Sequence, residues 1–574
     1  LSGVNVAVTD LASQGGNLLP SAGARLYREH FLNVVTPSST SLTLHERVAG
    51  KYPDPLIPLT DPYSAVVKGV GAPFDMEAGG TEVVYIDWYV PAGTSPGRYL
   101  GKAVISASGE KDVEVPVALT VWEIDLPRTL GTAFRYPGGM RSFHGGPAGD
   151  PAPGFEKIVD HYDEALHEHR IDPTSVDGPV SFNFDAGGDL LPIDWTAYDK
   201  AVAPWLDGSR FADGVAVNRF DVGYFSPGHG TGTMTDEQYA RAGAAFAEHL
   251  QQKGWWDKAY VYSVDEPWLN GGDATFKQIK HDGDLLFKYT DLWRGHILVT
   301  GPFDERIAGV IGIWCPVTPM YEDWFWAGGR PGRDVYTERL ALGEKLWFYV
   351  CNANFPPYAG YDIDTAIGYE PRIVKWGTWY EKATGFLYWR TTYWVDDDPW
   401  NVFRNTVTFP DAAARNGDGF ILYPGDHNGT AGGKGSPIGV QIDGPVVSYR
   451  MKQIRDGLED WELFMLAERL GGGEYARAQV GRAYKRFGDF FVEDCVGKGN
   501  WYCPKRQPWT LDEKLIQEVR GNVAAKVLYL QNPAKYPDPE IQVPDGGADS
   551  GADAGVAPQK GGCSCATITV GEDL

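Results

Sequence analysis

Cysteine, basic charge and long apolar runs are all scarce in this chain, and each scarcity removes a class of protein. Six Cys among 574 residues do not make a disulfide scaffold. No Cys-x-x-Cys pair or His-rich cluster offers a zinc site, because Cys563 and Cys565 flank a single Ser with no second pair nearby. No metal is assigned, and no motif calls for a cofactor. Lys and Arg number 51 against 76 Asp and Glu, a formal charge of −25, which disfavours nucleic acid and anionic membranes as partners. No apolar run approaches the roughly 18 residues of a membrane span, so no transmembrane segment is expected. An initiator Met and a basic, apolar, small-residue signal are also missing at Leu1, and the sequence reads as a mature or trimmed form.

What is plentiful is aromatic: 20 Trp, 30 Tyr and 25 Phe, 13% of the chain. Flat rings stack on sugars and also fill cores, so composition permits a carbohydrate enzyme without requiring one. Cys495 and Cys503 bracket the short loop EDCVGKGNWYCP, which suits a local disulfide, and Cys315 and Cys351 end two neighbouring candidate strands, where a disulfide and free thiols are equally open. From about Pro537 the chain is rich in Gly, Ala and Asp, as a disordered stalk is. Its terminal Cys-Ser-Cys resembles the surface-sorting tails of some secreted bacterial proteins, and the expectation is a secreted or cell-surface location.

Residues 1–127 alternate apolar and polar positions between turn signals, as in EVVYIDWYVP, and predict an antiparallel β-sandwich. From Gly131 short β-rich runs alternate with amphipathic helices, the signature of parallel βα units. Candidate strands cover 132–136, 170–174, 219–224, 259–264, 296–301, 309–315, 345–351 and 385–391. Eight such strands within residues 128–445 predict a (β/α)8 TIM barrel with its chemistry at the carboxyl ends of the strands. Thr235 and Gln238 form a capping box ahead of a helical stripe of Tyr239, Ala242, Phe246 and Leu250 that Gly254 ends. Residues 370–382 give a further helix. Residues 446–535 read as a C-terminal helical region and 536–574 as the tail, so the fold class is a multidomain α/β protein with an added β domain.

Asp-Glu occurs five times, starting at 163, 236, 265, 304 and 512, so context must choose among them. The pairs at 163, 236 and 512 fall in helices or their first turns, where acids meet the helix dipole. Asp265-Glu266 instead ends the run AYVYSV and precedes Pro267, which leaves two carboxylates at the mouth of the fourth candidate strand. Asp304-Glu305, after the fifth, is the second candidate. Two carboxylates can divide into a proton donor with raised pKa and a stabilising charge. Neighbours on a strand point to opposite sides, so only the break after the strand lets both converge. The spacing suits a substrate that supplies its own nucleophile better than two side chains acting from opposite faces. The competing role is a strand-end carboxylate that caps a helix or pairs with an Arg.

Candidate sugar-binding residues lie at the same strand ends: Arg135 and Tyr136 at the first, Asp221 and Tyr224 at the third, and Trp314, Tyr349, Trp389, Tyr393, Trp394 and Asn401 at the sixth to eighth. Any single ring there is more often core than subsite, but rings with Asp, Asn and Arg between them along one rim fit stacking plus hydroxyl recognition.

These segments carry a resemblance. From about residue 20 to about 470 the chain resembles glycoside hydrolase family 123, the β-N-acetylgalactosaminidases and their relatives. The matching segments are VPVALTVWEIDLP, YVYSVDEP, LWFYVC, RIVKWGTWYEKATGFLYWRTTYWVDDDPW, and GDGFILYPG followed by IRDGLEDWE, in that order and spacing. The resemblance implies a retaining, substrate-assisted hydrolase acting on a glycan. The sugar's 2-acetamido oxygen would attack its own anomeric carbon, Asp265 would orient the amide, and Glu266 would protonate the departing oxygen and then activate water. IRDGLEDWE, with Arg455, Asp456, Glu459 and Asp460, lies on a helix outside the strands and reads as a structural ion network. The stretch DHNGTAGGKGSPIG after Tyr423-Pro424-Gly425 departs from the family pattern, and no linear motif marks an acetamido pocket. The sugar therefore stands open between N-acetylgalactosamine and another surface or exopolysaccharide glycan. A non-catalytic glycan-binding surface protein is the alternative from another class.

Overall fold

The computed structural model describes residues 1–38, 48–134, 140, 144, 154–173, 176–322, 332–352, 354, 358–365, 368–394, 400, 415–425, 442–485 and 509–539. Alternating sequence before residue 125 forms two antiparallel sheets. One has five strands (Asn5–Val8, Leu11–Ser13, Leu18–Leu19, Gly97–Ser106, Val113–Val121) and the other three (Ala24–Val34, Gly50–Pro58, Val84–Trp88).

The seven-stranded sheet that follows is parallel and nearly closed. Its strands are β1 (Gly131–Phe134), β2 (Phe220–Asp221), β3 (Ala259–Tyr262), β4 (Ile297–Thr300), β5 (Ile313–Cys315), β6 (Lys345–Val350) and β7 (Gly385–Tyr388), in the order β2-β3-β4-β5-β6-β7-β1. Nearly every strand residue is buried, as expected of a parallel sheet covered on both faces. Alternation sorts them. Val261, Val299, Trp314, Phe348 and Phe386 join the large core outside the sheet, while Tyr260, Tyr262, Leu298, Cys315, Trp347, Tyr349 and Leu387 fill the interior. Trp347 fits because β7 and β1 carry glycines against it: a Cβ on Gly131 would stand 2.9 Å from its ring, and one on Gly385 closer still.

Among the described residues the second candidate strand, 170–174, adds no ladder. It makes one parallel bridge, Phe134 to Pro173, because Pro173 has no N–H to donate. The Asp172 side chain closes this position instead: Oδ1 accepts from Asn218 N at 3.0 Å and from Arg128 at 2.8 Å, and Oδ2 from Thr132 Oγ1 at 3.2 Å. Among the described residues the expected eight strands are thus seven, with a side chain at the seam.

Four helices matter below: α1 (Asp236–Gln252), α2 (Glu370–Tyr380), α3 (Tyr449–Arg469) and α4 (Glu513–Gln531). The capping box starts α1: Thr235 Oγ1 accepts from Gln238 N and Gln238 Oε1 from Thr235 N. IRDGLEDWE lies on α3 and is a network of ion pairs. Asp460 accepts from Arg372 at 2.6 Å and from Arg520 at 2.8 Å, Arg455 reaches Asp87 at 2.7 Å and Asp456 at 2.9 Å, and Arg170 stands 3.7 Å from Glu459.

Cys315 and Cys351 are not joined to each other, so the disulfide considered for them is excluded. The β5–β6 register sets Trp314 beside Leu346, which leaves Cys351 four positions past the level of Cys315, or about 13 Å along the strands, beyond the reach of an S–S bond. The Cys495–Cys503 loop and the tail from 540 lie outside the described residues.

Candidate active site

Strand β3 stops at Tyr262, and four residues later the chain turns sharply. Glu266 has φ of +40°, left-handed, and Pro267 follows it. That conformation is strained for a residue with a Cβ, and it breaks the alternation that would point Asp265 and Glu266 apart. The turn is pinned beyond it: Leu269 and Asn270 N–H donate to Glu266 O at 2.8 and 3.0 Å, and Asn270 Nδ2 to Asp265 O at 2.7 Å.

Each carboxylate has its own partners. Asp265 Oδ1 accepts from the Tyr262 hydroxyl at 2.7 Å and from Thr300 Oγ1 at 2.9 Å. Glu266 Oε1 accepts from the Tyr349 hydroxyl, and Glu266 N donates to Thr300 Oγ1 at 3.1 Å. Asp265 Oδ2 and Glu266 Oε2 make no hydrogen bond among the described residues. Asp265 is exposed and Glu266 half-buried. Burial pushes the Glu266 carboxyl above its ordinary value, the Tyr349 hydroxyl bond opposes this, and the neighbouring charge of Asp265 adds to it. Two carboxyls one residue apart are thus made unlike: one favours holding a proton, and the other presents an open oxygen to solvent. Trp268 walls the turn, its indole against Gly301, where a Cβ would stand 2.7 Å from Nε1.

The other proposed site residues divide. Tyr349 bonds Glu266 directly. Asp221 ends β2, and its Oδ1 accepts from Gly223 N at 3.2 Å and from Tyr262 N at 3.4 Å, beside the same cluster. Trp389 and Tyr393 stand together after β7, ring centroids 4.9 Å apart and both half-buried, with Trp389 Nε1 donating to Asp418 Oδ1 at 3.1 Å.

Three residues face elsewhere. Trp314 lies one step out of phase with Ile313 and Cys315, so it is fully buried on the outer face and donates to Glu344 at 2.6 Å. Trp394 is buried, with Nε1 on Leu422 O at 2.8 Å, and Tyr224 packs among Phe182, Phe225 and Phe246 with its hydroxyl on Gly178 O. Arg135, Tyr136 and Asn401 lie outside the described residues. Asp304 caps the short helix Glu305–Ile307, and both its oxygens are taken by Arg306. Tyr262, Thr300 and Asp418 were not anticipated. Period two along AYVY, and a polar Thr closing ILVT, were the available signals for the first two.

Residues 232–467 match the sequence model described as glycoside hydrolase 123, catalytic domain. Among solved structures, a family 123 glycoside hydrolase from Clostridium perfringens, whose description concerns glycolipid glycan hydrolysis, aligns at 14% identity with a TM-score of 0.55. It covers 93% of this chain and 89% of its own, which establishes a shared fold. A β-glucuronidase from Parabacteroides merdae aligns at 9% identity and TM-score 0.24, covering 67% of this chain and 47% of its own. A GH5 xyloglucanase from Bacteroides ovatus aligns at 10% and 0.29, covering 80% and 96%. No curated protein matches.

Proposed function

We propose that this chain, whose residues 232–467 match the glycoside hydrolase 123 catalytic domain, is a glycoside hydrolase of that family and that it cleaves β-linked N-acetylgalactosamine with retention, by substrate-assisted catalysis. The observation that carries this is the unequal setting of two consecutive carboxyls. A second carboxylate acting as nucleophile in a retaining enzyme belongs about 5 Å from the acid across the scissile bond. Adjacent residues on one turn are badly placed for that and well placed to share one substrate.

Glu266, with its pKa raised by burial, is the proton holder. Its proton passes to the glycosidic oxygen as the C1–O bond breaks and the acetamido oxygen forms its bond to C1. Asp265 Oδ2 accepts the acetamido N–H and so turns the carbonyl oxygen toward C1. Water then attacks C1, giving its proton to Glu266, and the ring of the oxazolinium reopens. The Trp389–Tyr393 pair offers ring faces on which a sugar can stack.

The test compares aryl β-N-acetylgalactosaminide with its glucosamine epimer and with the matching 2-hydroxy sugar. The acetamido compounds should be cut far faster, the galacto epimer fastest. Equal turnover of the 2-hydroxy sugar rules out substrate assistance. Glu266→Gln should abolish turnover while sparing binding.

A further inference from the structure

We propose that Thr300 is the positioning residue that turns two consecutive carboxylates toward one site, an inference that rests on Asp265 and Glu266 being the catalytic pair. Neighbours along a strand diverge, and a left-handed residue ahead of a proline is strained, so the turn needs an anchor outside its own few residues. Thr300 supplies it from the adjacent strand. The β3–β4 register pairs Tyr262 with Leu298, which sets Thr300 level with Val264, one step before the acids, and on the interior-facing side with Leu298.

There Thr300 is 2% exposed, and its Oγ1 meets both residues at once, 3.1 Å from Glu266 N and 2.9 Å from Asp265 Oδ1. A hydroxyl has one proton and two lone pairs. The Glu266 N–H occupies a lone pair, and the proton goes to Asp265. The Tyr262 phenol, 2.9 Å from Oγ1, sends its own proton to the same Oδ1 at 2.7 Å. With Oδ1 bonded from two sides, Oδ2 is the oxygen left for substrate. One side chain thereby fixes the backbone of the acid and the orientation of its partner. Valine would keep the branched shape and lose both bonds, and serine would keep both.

Thr300→Val and Thr300→Ser are compared in the full chain, with Glu266→Gln as the control for the pair. In Thr300→Val, kcat should fall about 10- to 100-fold, the scale of a displaced reacting group, with KM little changed. Thr300→Ser should stay close to the unmodified protein. Unchanged kcat in Thr300→Val, or equal loss in both variants, overturns the proposal. Crystal structures decide it independently of substrate. Thr300→Val should release Glu266 from its left-handed conformation or swing Asp265 off Tyr262, and Thr300→Ser should do neither. A Thr300→Val structure with both acids in place also overturns it. An inert unmodified protein, or an active Glu266→Gln, would instead sink the reading of the pair, with the structures still deciding Thr300.

Discussion

The Tyr349 phenol, projecting from β6, donates its proton to Oε1 of Glu266, so the carboxyl proposed as the general acid is engaged through one oxygen, and Oε2 is the oxygen it would turn to a leaving group. Burial raises the pKa of Glu266, and this bond to its charged form works against the rise. A general acid acts when protonated, so activity falls as pH climbs through that pKa. Tyr349→Phe removes the opposing bond and raises the pKa further. The alkaline limb of kcat/KM should therefore move to higher pH, and a pH–rate profile that moves it lower contradicts the assignment.

Asp265 has the opposite leverage. Its negative charge helps Glu266 keep a proton, so Asp265→Asn should move the alkaline limb to lower pH. The same change removes the acceptor proposed for the acetamido N–H, and kcat on acetamido substrates should drop about 10²–10³-fold, the usual cost of one lost transition-state partner. A thiazoline that mimics the oxazolinium should lose affinity in this variant. Undiminished inhibition would show that Asp265 does not hold the amide.

The carboxylates were legible as a strand-end pair because Asp, Glu and Pro interrupt the apolar run AYVYSV, although the strand itself stops two residues before them, at Tyr262. Thr300 was not, because a Thr closing ILVT is an ordinary β-branched strand residue until the register sets it beside residues 264–266. Parity misled in the same way at Trp314. Both faces of a parallel barrel strand are apolar, so IWC does not say which face is inside, and one step separates a rim residue from a core one. Among the described residues, 170–173 form no ladder for a local reason, since Pro173 has no ladder donor and Asp172 does its bonding through the side chain.

Asp460 holds α2, α3 and α4 together: the Arg372 guanidinium at 2.6 Å, the Trp376 indole N–H at 2.8 Å and Arg520 at 2.8 Å all converge on a fully buried carboxylate. Asp460→Ala removes the buried carboxylate on which both guanidiniums converge and should cost about 3–5 kcal/mol in urea unfolding. Burial alone would raise this pKa, and the charges of Arg372 and Arg520 outweigh it, so the folded value is lowered. A lowered carboxylate pKa contributes stability above about pH 4 that disappears as pH falls through the folded value. Stability of the unmodified protein should thus decline on acidification more steeply than that of Asp460→Ala. Parallel acid limbs in the two proteins would refute the network's role.

Trp347 connects the barrel's packing to its chemistry. It shares the interior face of β6 with Tyr349, two residues toward the mouth, and its indole occupies the space that Gly385 leaves on β7, with Tyr260 at 5.3 Å on the other side. Gly385→Ala would drive a methyl into the ring, and overfilling a close-packed site costs about 1–3 kcal/mol. The strand has a second way to respond: β6 can shift to relieve the overlap and carry Tyr349 away from Glu266. The variant should therefore melt at lower temperature and also show the alkaline limb displaced upward, as Tyr349→Phe does. A lower melting temperature with an unmoved limb would mean that the floor of the barrel absorbs the methyl without reaching its mouth.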